Sequence, residues 1–291
     1  MAIWIAILLG IIQGIFMFLP VSSTAHMVLA EHWLIARGHA VPDPASAEMI
    51  LFNLVVHVGT LVSIVVVFWR PLQRFVRNVF GDALQWAGQG GRRGIPLFLR
   101  LFLLGMFSVL CTGLLGMGFK ASFEWIFANP SMIAVTLVFT GVVLFWTDRL
   151  SPRKRGLRQT GLGTAAVIGI AQGFALAPGL SRSAMTIVFA LFAGLKRRWA
   201  AEYSFFLAIP TILAATLVQS RDVFRVGGLQ EVSLAALGVG FVVAAVVGIV
   251  SLKIVVWTLY RAQLKIFSFY VWLLAALILF GVIDLASVPL P

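Results

Sequence analysis

Six apolar stretches, at about 48–69, 96–118, 131–147, 200–218, 233–256 and 267–286, divide this chain, and most of its charged residues fall between them. Each stretch is close to the roughly 20 residues of helix that cross a hydrocarbon core. Inside such a core the backbone finds no water, so a spanning segment must satisfy its own N–H and C=O groups, as a helix does. The fold class this pattern predicts is an all-α polytopic membrane protein, with residues 1–291 forming a single membrane domain. Composition agrees, since 61% of the residues are hydrophobic and 11% charged, where a soluble domain carries nearer a quarter charged. The apolar stretch at the N-terminus, from about residue 3, lacks the basic start and small-residue cleavage site of a signal peptide and is expected to stay in the mature chain. The single cysteine, Cys111, excludes an internal disulfide and a cysteine-based metal site.

Two further regions, about 3–36 and 162–194, are apolar, break at a proline beside a serine-rich cluster, and turn apolar again. The first break reads Phe18-Leu19-Pro20-Val21-Ser22-Ser23-Thr24-Ala25-His26, the second Ala177-Pro178-Gly179-Leu180-Ser181-Arg182-Ser183-Ala184-Met185-Thr186. Each apolar half is short for a full span, so each region is expected to enter, break at mid-depth and leave on the same side, as a re-entrant helical hairpin.

The net charge of +12 could suggest nucleic acid, but the basic residues sit in loops between apolar segments, which points to membrane topology instead. With both hairpins returning to their own side, 17 of the 22 Lys and Arg residues fall on one face, four on the other, and Arg182 stays at membrane depth. The basic face should be cytoplasmic, leaving both termini extracytoplasmic at a bacterial inner membrane. Residues 1–148 and 161–291 then each hold one hairpin and three spans in opposite orientation, an inverted-topology repeat joined by the basic linker at 149–160.

Arg182 is the strongest single signal of chemistry. An arginine amid apolar helix costs about 2.5–3.5 kcal/mol on insertion and needs a partner or a polar cavity. It follows a Pro-Gly break at what should be a helix N-terminus, where free N–H groups favour an anion, and its guanidinium fork suits phosphate. The bland alternative is a structural pair with a buried carboxylate such as Glu202. Ser23 and His26, three residues apart, share a face if that segment is helical. A hydroxyl beside an imidazole is the minimum for an activated nucleophile, while helix capping by Ser or Thr is the alternative. Gln13, Asn53, His57, Gln172, Glu202 and Ser204 suggest a wet cavity between the hairpins. Glu31, His32 and His39 are expected near the outer surface without a catalytic part, and Trp33 and Trp69 in an interfacial belt.

Leu19-Pro20-Val21-Ser22-Ser23-Thr24-Ala25-His26 and Pro178-Gly179-Leu180-Ser181-Arg182-Ser183-Ala184-Met185-Thr186 resemble the two signatures of the bacterial undecaprenyl-diphosphate phosphatase family. The stretches at 52–60 and 201–210 are similar to that family too, so the resemblance runs along nearly the whole chain. It implies removal of the terminal phosphate from a C55 polyprenyl diphosphate, recycling the lipid carrier of cell-envelope synthesis. By position it implies Ser23 as nucleophile, His26 as its proton-transfer partner and Arg182 as the phosphate grip. Ser22, Thr24, Ser181, Ser183, Gln13 and Gln172 would line the phosphate site. A divalent cation, Mg²⁺ or Ca²⁺, is also implied, with Gln13 its candidate ligand. Met17 stands where the family carries a second acidic residue, so the first hairpin is expected to hold no carboxylate. Ala25 and Ala184 replace small glycines, and Trp272 stands where an arginine is expected.

Two functions are therefore carried forward. One is the polyprenyl-diphosphate phosphatase. The other is a flippase or carrier for polyprenyl phosphate or another anionic lipid, in which the anion site persists and Met17 marks lost chemistry. The partners expected are the lipid and the membrane; a homodimer is left open.

Overall fold

The computed structural model describes residues 1–44, 46–89, 94–127, 129–225 and 232–283. In chain order the helices are α1 (Ile3–Phe16), α2 (Ser23–Ala36), α3 (Ala47–Val67), α4 (Trp69–Gly88), α5 (Leu97–Gly118), α6 (Lys120–Phe127), α7 (Pro130–Thr147), α8 (Leu162–Phe174), α9 (Arg182–Phe192), α10 (Arg197–Arg225), α11 (Leu234–Tyr260) and α12 (Lys265–Leu279). Among the described residues Ala47–Val67, Leu97–Gly118, Arg197–Ser220 and Leu234–Tyr260 are long and apolar enough to cross a membrane. Their flanks are apolar outward as well as inward. Leu110 and Leu114 of α5 and Val246 and Val250 of α11 are all exposed, one helical turn apart. Water would penalise such stripes and acyl chains would not. This is an all-α, multi-pass membrane protein.

The two shorter expected spans are α7 and α12, of 18 and 15 residues, packed against each other. The stretch expected to run to 286 ends as helix at Leu279, and its last residues lie outside the described ones. Trp272 anchors that pair: its Nε1 donates to the Val138 carbonyl at 3.1 Å, and its ring lies 5.6 Å from that of Phe145. α4 departs from expectation. Residues 70–77 read as a basic loop, yet they are helical, with no residue of α4 buried. Arg70, Arg74 and Arg77 recur at helical spacing beside apolar Val76, Phe80 and Leu84, the pattern of a helix lying in a membrane interface.

The two broken regions are pairs of short helices. α1 and α2 have 14 residues each, α8 has 13 and α9 has 11. At 1.5 Å per residue the longest is about 21 Å, short of a core about 30 Å thick. Glycines seat them. α1 packs on α11, where a Cβ on Gly14 would stand 2.9 Å from the Ala244 carbonyl oxygen. α8 packs on α5, where a Cβ on Gly169 would stand 2.5 Å from the Ser108 carbonyl oxygen. Such close approach lets hydroxyls bond across the helices. Ser251 Oγ donates to the Ile15 carbonyl at 2.7 Å and Thr112 Oγ1 to the Gly169 carbonyl at 3.0 Å. Gly10, Gln13, Gly14, Ser22 and Ala25 recur as Gly169, Gln172, Gly173, Ser181 and Ala184, in the same order and spacing.

Candidate functional site

Non-helical backbone at membrane depth must find its partners in protein. At the second break, α7 supplies them. Thr136 Oγ1 donates to the Pro178 carbonyl at 2.6 Å, and Thr140 Oγ1 donates to the Gly179 carbonyl at 3.0 Å. Gly179 has φ of +84°, a left-handed turn open to glycine, and a Cβ there would stand 2.7 Å from the Ile133 carbonyl oxygen. This turn delivers Ser181 as the N-cap of α9, its Oγ accepting from the Ala184 N–H at 3.3 Å, and sets Arg182 as the first helical residue. At the first break Ser22 caps α2 in the same way, accepting from the Ala25 N–H at 3.5 Å. Ser22 carries φ of +70° without being glycine, a strained backbone at the start of the motif. The two breaks touch, Ser183 Oγ donating to the Leu19 carbonyl at 3.4 Å. Ala25 and Ala184 are buried in the two first turns.

Between the hairpins lies a cavity of about 400 Å³. Ser22, Ser23 and Thr24 line it from the N-terminus of α2, and Ser181 and Arg182 from the N-terminus of α9. Two positive helix ends therefore converge on one space. Arg182 Nη1 and Nη2 are buried and have no hydrogen-bond partner among the described residues. Glu202 does not pair with Arg182: its Oε1 accepts from Arg198 Nε at 2.9 Å, one turn away on α10. The remaining cavity wall carries Met17, Glu31, His32, Asn53 and His57, completed by Ala175, Leu176 and Leu180 of the second break and by Thr211, Ile212, Ala215, Thr216 and Gln219 of α10.

The structure does not bring Ser23 and His26 together as a dyad. His26 Nδ1 lies 2.7 Å from the Ser22 carbonyl oxygen, so that nitrogen carries the proton. Its Nε2, 2.7 Å from Tyr270 Oη, accepts the tyrosine hydroxyl. The ring stacks on Phe16 with centroids 3.7 Å apart. Both nitrogens are engaged away from the cavity, and Ser23 Oγ instead donates to Met17 Sδ at 3.9 Å. Met17 Sδ also accepts from Gln13 Nε2 at 3.3 Å, which leaves Gln13 fully buried behind the cavity wall. Gln172 is likewise buried, its Nε2 donating to Thr112 and Thr211 at 3.0 Å each. Ser204 pairs with Thr186. Of the polar residues expected in a wet cavity, Asn53 and His57 line it.

Glu31 and His32 correct the expectation of a peripheral position and of a hairpin without a carboxylate. They are 2% and 3% exposed and both line the cavity. Glu31 Oε1 accepts from Asn53 Nδ2 at 3.2 Å, while Asn53 Oδ1 is buried without a partner among the described residues. His39 is exposed, its ring 5.0 Å from that of Trp4. The signal for Glu31 was in the sequence: Ser23, Met27 and Glu31 follow at four-residue steps, one face of α2. His57 Nδ1 donates to the Asn53 carbonyl at 2.7 Å, making Nε2 the ring's acceptor.

Compared with known proteins, residues 6–277 match the family described as bacitracin resistance protein BacA. An undecaprenyl-diphosphatase of Halorhodospira halophila is 73% identical over 98% of this chain and 99% of its own. One of Alkalilimnicola ehrlichii is 71% identical over 98% of this chain and 99% of its own. One of Moorella thermoacetica is 35% identical over 94% of this chain and 95% of its own.

Proposed function

The chain belongs to the BacA family of bacitracin resistance proteins, and from that premise and its cavity we propose that it hydrolyses undecaprenyl diphosphate to the monophosphate. The observation that carries the reading is the convergence, on one cavity that also holds a serine hydroxyl, of two helix N-termini and an arginine whose Nη atoms have no partner among the described residues. Arg182 and the first turn of α9 bind the diphosphate and stabilise charge on the transferring phosphoryl group. Ser23 Oγ attacks the terminal phosphorus, and the bond from that phosphorus to the bridging oxygen breaks. Polyprenyl monophosphate leaves and a phosphoserine remains for water to hydrolyse. His57, with its Nδ1 proton held by a carbonyl, is the base that takes the serine proton on Nε2; in this arrangement His26 holds the α2 terminus to Tyr270.

A divalent cation, Mg²⁺ or Ca²⁺, would neutralise phosphate charge here. Gln13 does not fit as its ligand, since it is buried behind Met17. Among the described residues no three His, Cys, Asp or Glu side chains cluster as a metal cage. Glu31 and Asn53 Oδ1, the latter without a partner among the described residues, fit as oxygen donors that would hold the cation jointly with the lipid's phosphates.

We place the protein in the bacterial inner membrane with both termini extracytoplasmic, supported by 17 basic residues against four across the loops. Pro44 and Gln219, which line the cavity, flank loops of the sparsely charged face, so the cavity serves the extracytoplasmic leaflet. The recurrence of Gly10, Gln13, Gly14 and Ser22 as Gly169, Gln172, Gly173 and Ser181 supports the inverted repeat of 1–148 and 161–291.

The second reading, an anionic-lipid carrier, is favoured by one contact: Ser23 Oγ faces the Met17 thioether. Phosphate release by the purified protein from long-chain polyprenyl diphosphate decides between them. Release that depends on Ser23 and Arg182 supports the phosphatase; Arg182-dependent lipid binding without release would establish the carrier.

A further inference from the structure

The cavity holds one guanidinium and, among its lining residues, one carboxylate. They are not joined: both Arg182 Nη atoms lack a hydrogen-bond partner among the described residues, and the Glu31 carboxylate takes its bond from the neutral Asn53 amide. Burying an ionised carboxylate is costly unless a cation or several donors compensate it. A diphosphate seated on Arg182 would add further negative charge to the same enclosed space, where repulsion is weakly screened. The amide of Asn53 is already turned to give its N–H to Glu31, leaving Oδ1 buried and without a partner among the described residues. A carboxylate and the amide oxygen of the residue bonded to it are hard oxygen donors of the kind Mg²⁺ takes, and Mg²⁺ commonly completes its shell with substrate phosphate and water.

We infer that Glu31 and Asn53 form the protein half of a divalent-cation site that the lipid diphosphate completes, so that cation and lipid bind cooperatively. Glu31 then acts as a gate on occupancy: the cation offsets the cost of a buried carboxylate beside the diphosphate, and the carboxylate so held helps to hold the lipid. The inference rests on the phosphatase reading for the identity of the lipid and deepens it by making cation and lipid binding interdependent through these two residues.

The test measures binding, not turnover. The full chain in nanodiscs is titrated with a long-chain polyprenyl diphosphate whose bridging oxygen is replaced by methylene, in EDTA and in Mg²⁺. In the wild type, Mg²⁺ should tighten binding by about tenfold or more, a typical coupling between two sites. In Glu31→Gln, which keeps an oxygen for Asn53, binding in EDTA should match or exceed that of the wild type and the Mg²⁺ response should vanish. Asn53→Leu, the second variant, should weaken the Mg²⁺ response while leaving binding in EDTA in place. An equal Mg²⁺ response in wild type and both variants overturns the inference. The two readings fail separately. Coupling through Glu31 without phosphate release from the natural lipid sinks the phosphatase and keeps the cation site. Release that ignores both Mg²⁺ and Glu31 sinks the cation site and keeps the phosphatase.

Discussion

Replacing Arg182 with methionine separates function from stability. The two Nη atoms have no partner among the described residues, so their hydrogen-bonding capacity is free for a ligand. A hydrogen bond to a charged group contributes about 1.5–3 kcal/mol, so two to a phosphoryl group total roughly 3–6 kcal/mol. At about 1.4 kcal/mol per decade, Arg182→Met should lower kcat/KM for polyprenyl diphosphate by roughly 10²–10⁴-fold. The same substitution removes a charge whose insertion costs about 2.5–3.5 kcal/mol. Methionine is unbranched and fills irregular space, so the thermal midpoint should hold or rise. The assay is phosphate release in detergent or nanodiscs beside a thermal melt of the same preparation. Activity within about threefold of wild type would refute the anion-site reasoning, since it leaves well under 1 kcal/mol for the guanidinium. Lost activity together with a lowered midpoint would show instead that Arg182 is a structural ion.

Other expectations follow from individual contacts. Ser23→Ala should reduce phosphate release to the uncatalysed background and abolish a radiolabelled phosphoenzyme trapped by rapid acid quench; label retained in that variant would remove Ser23 as nucleophile. His57→Ala should cost about 10²–10⁴-fold in kcat, the usual worth of a general base. His26→Ala should mainly lower the thermal midpoint, because it loses bonds to Ser22 and Tyr270 worth about 1 kcal/mol each; the reverse ranking of the two variants in kcat would return the proton-transfer role to His26. Gly179→Ala should destabilise by about 1–2 kcal/mol for the left-handed backbone alone, and more for the clash with the Ile133 carbonyl. A melt unchanged from wild type would show that the Pro178-Gly179 turn relaxes freely.

Much of the site was legible along the chain, and the misses have identifiable causes. Pro20 and Pro178 mark the breaks because proline cannot continue the helix hydrogen-bond ladder, and both breaks fall between the expected short helices. Arg182 announces itself because its charge is out of place in apolar surroundings. The charges of α4 suggest a loop although Arg70, Arg74 and Arg77 repeat at helical intervals; charge alone obscures the period. The distance of Glu31 from the break suggests the outer surface, while its four-residue spacing from Met27 and Ser23 puts it on the cavity face of α2.

The sequence by itself determined the fold class, the two breaks and the chemistry of the motifs. Those depend on run length against bilayer thickness, on residue-level backbone limits, and on which side chains water or lipid will tolerate, all readable within a few turns of helix. Only the tertiary structure decided the partners. Tyr270 takes His26 from across the chain, Asn53 of α3 turns to Glu31 of α2, and Glu202 pairs with Arg198 and not with Arg182. A hydrogen bond reaches about 3 Å, so which groups meet depends on how helices distant in sequence pack, and periodicity along one helix says nothing of its neighbour.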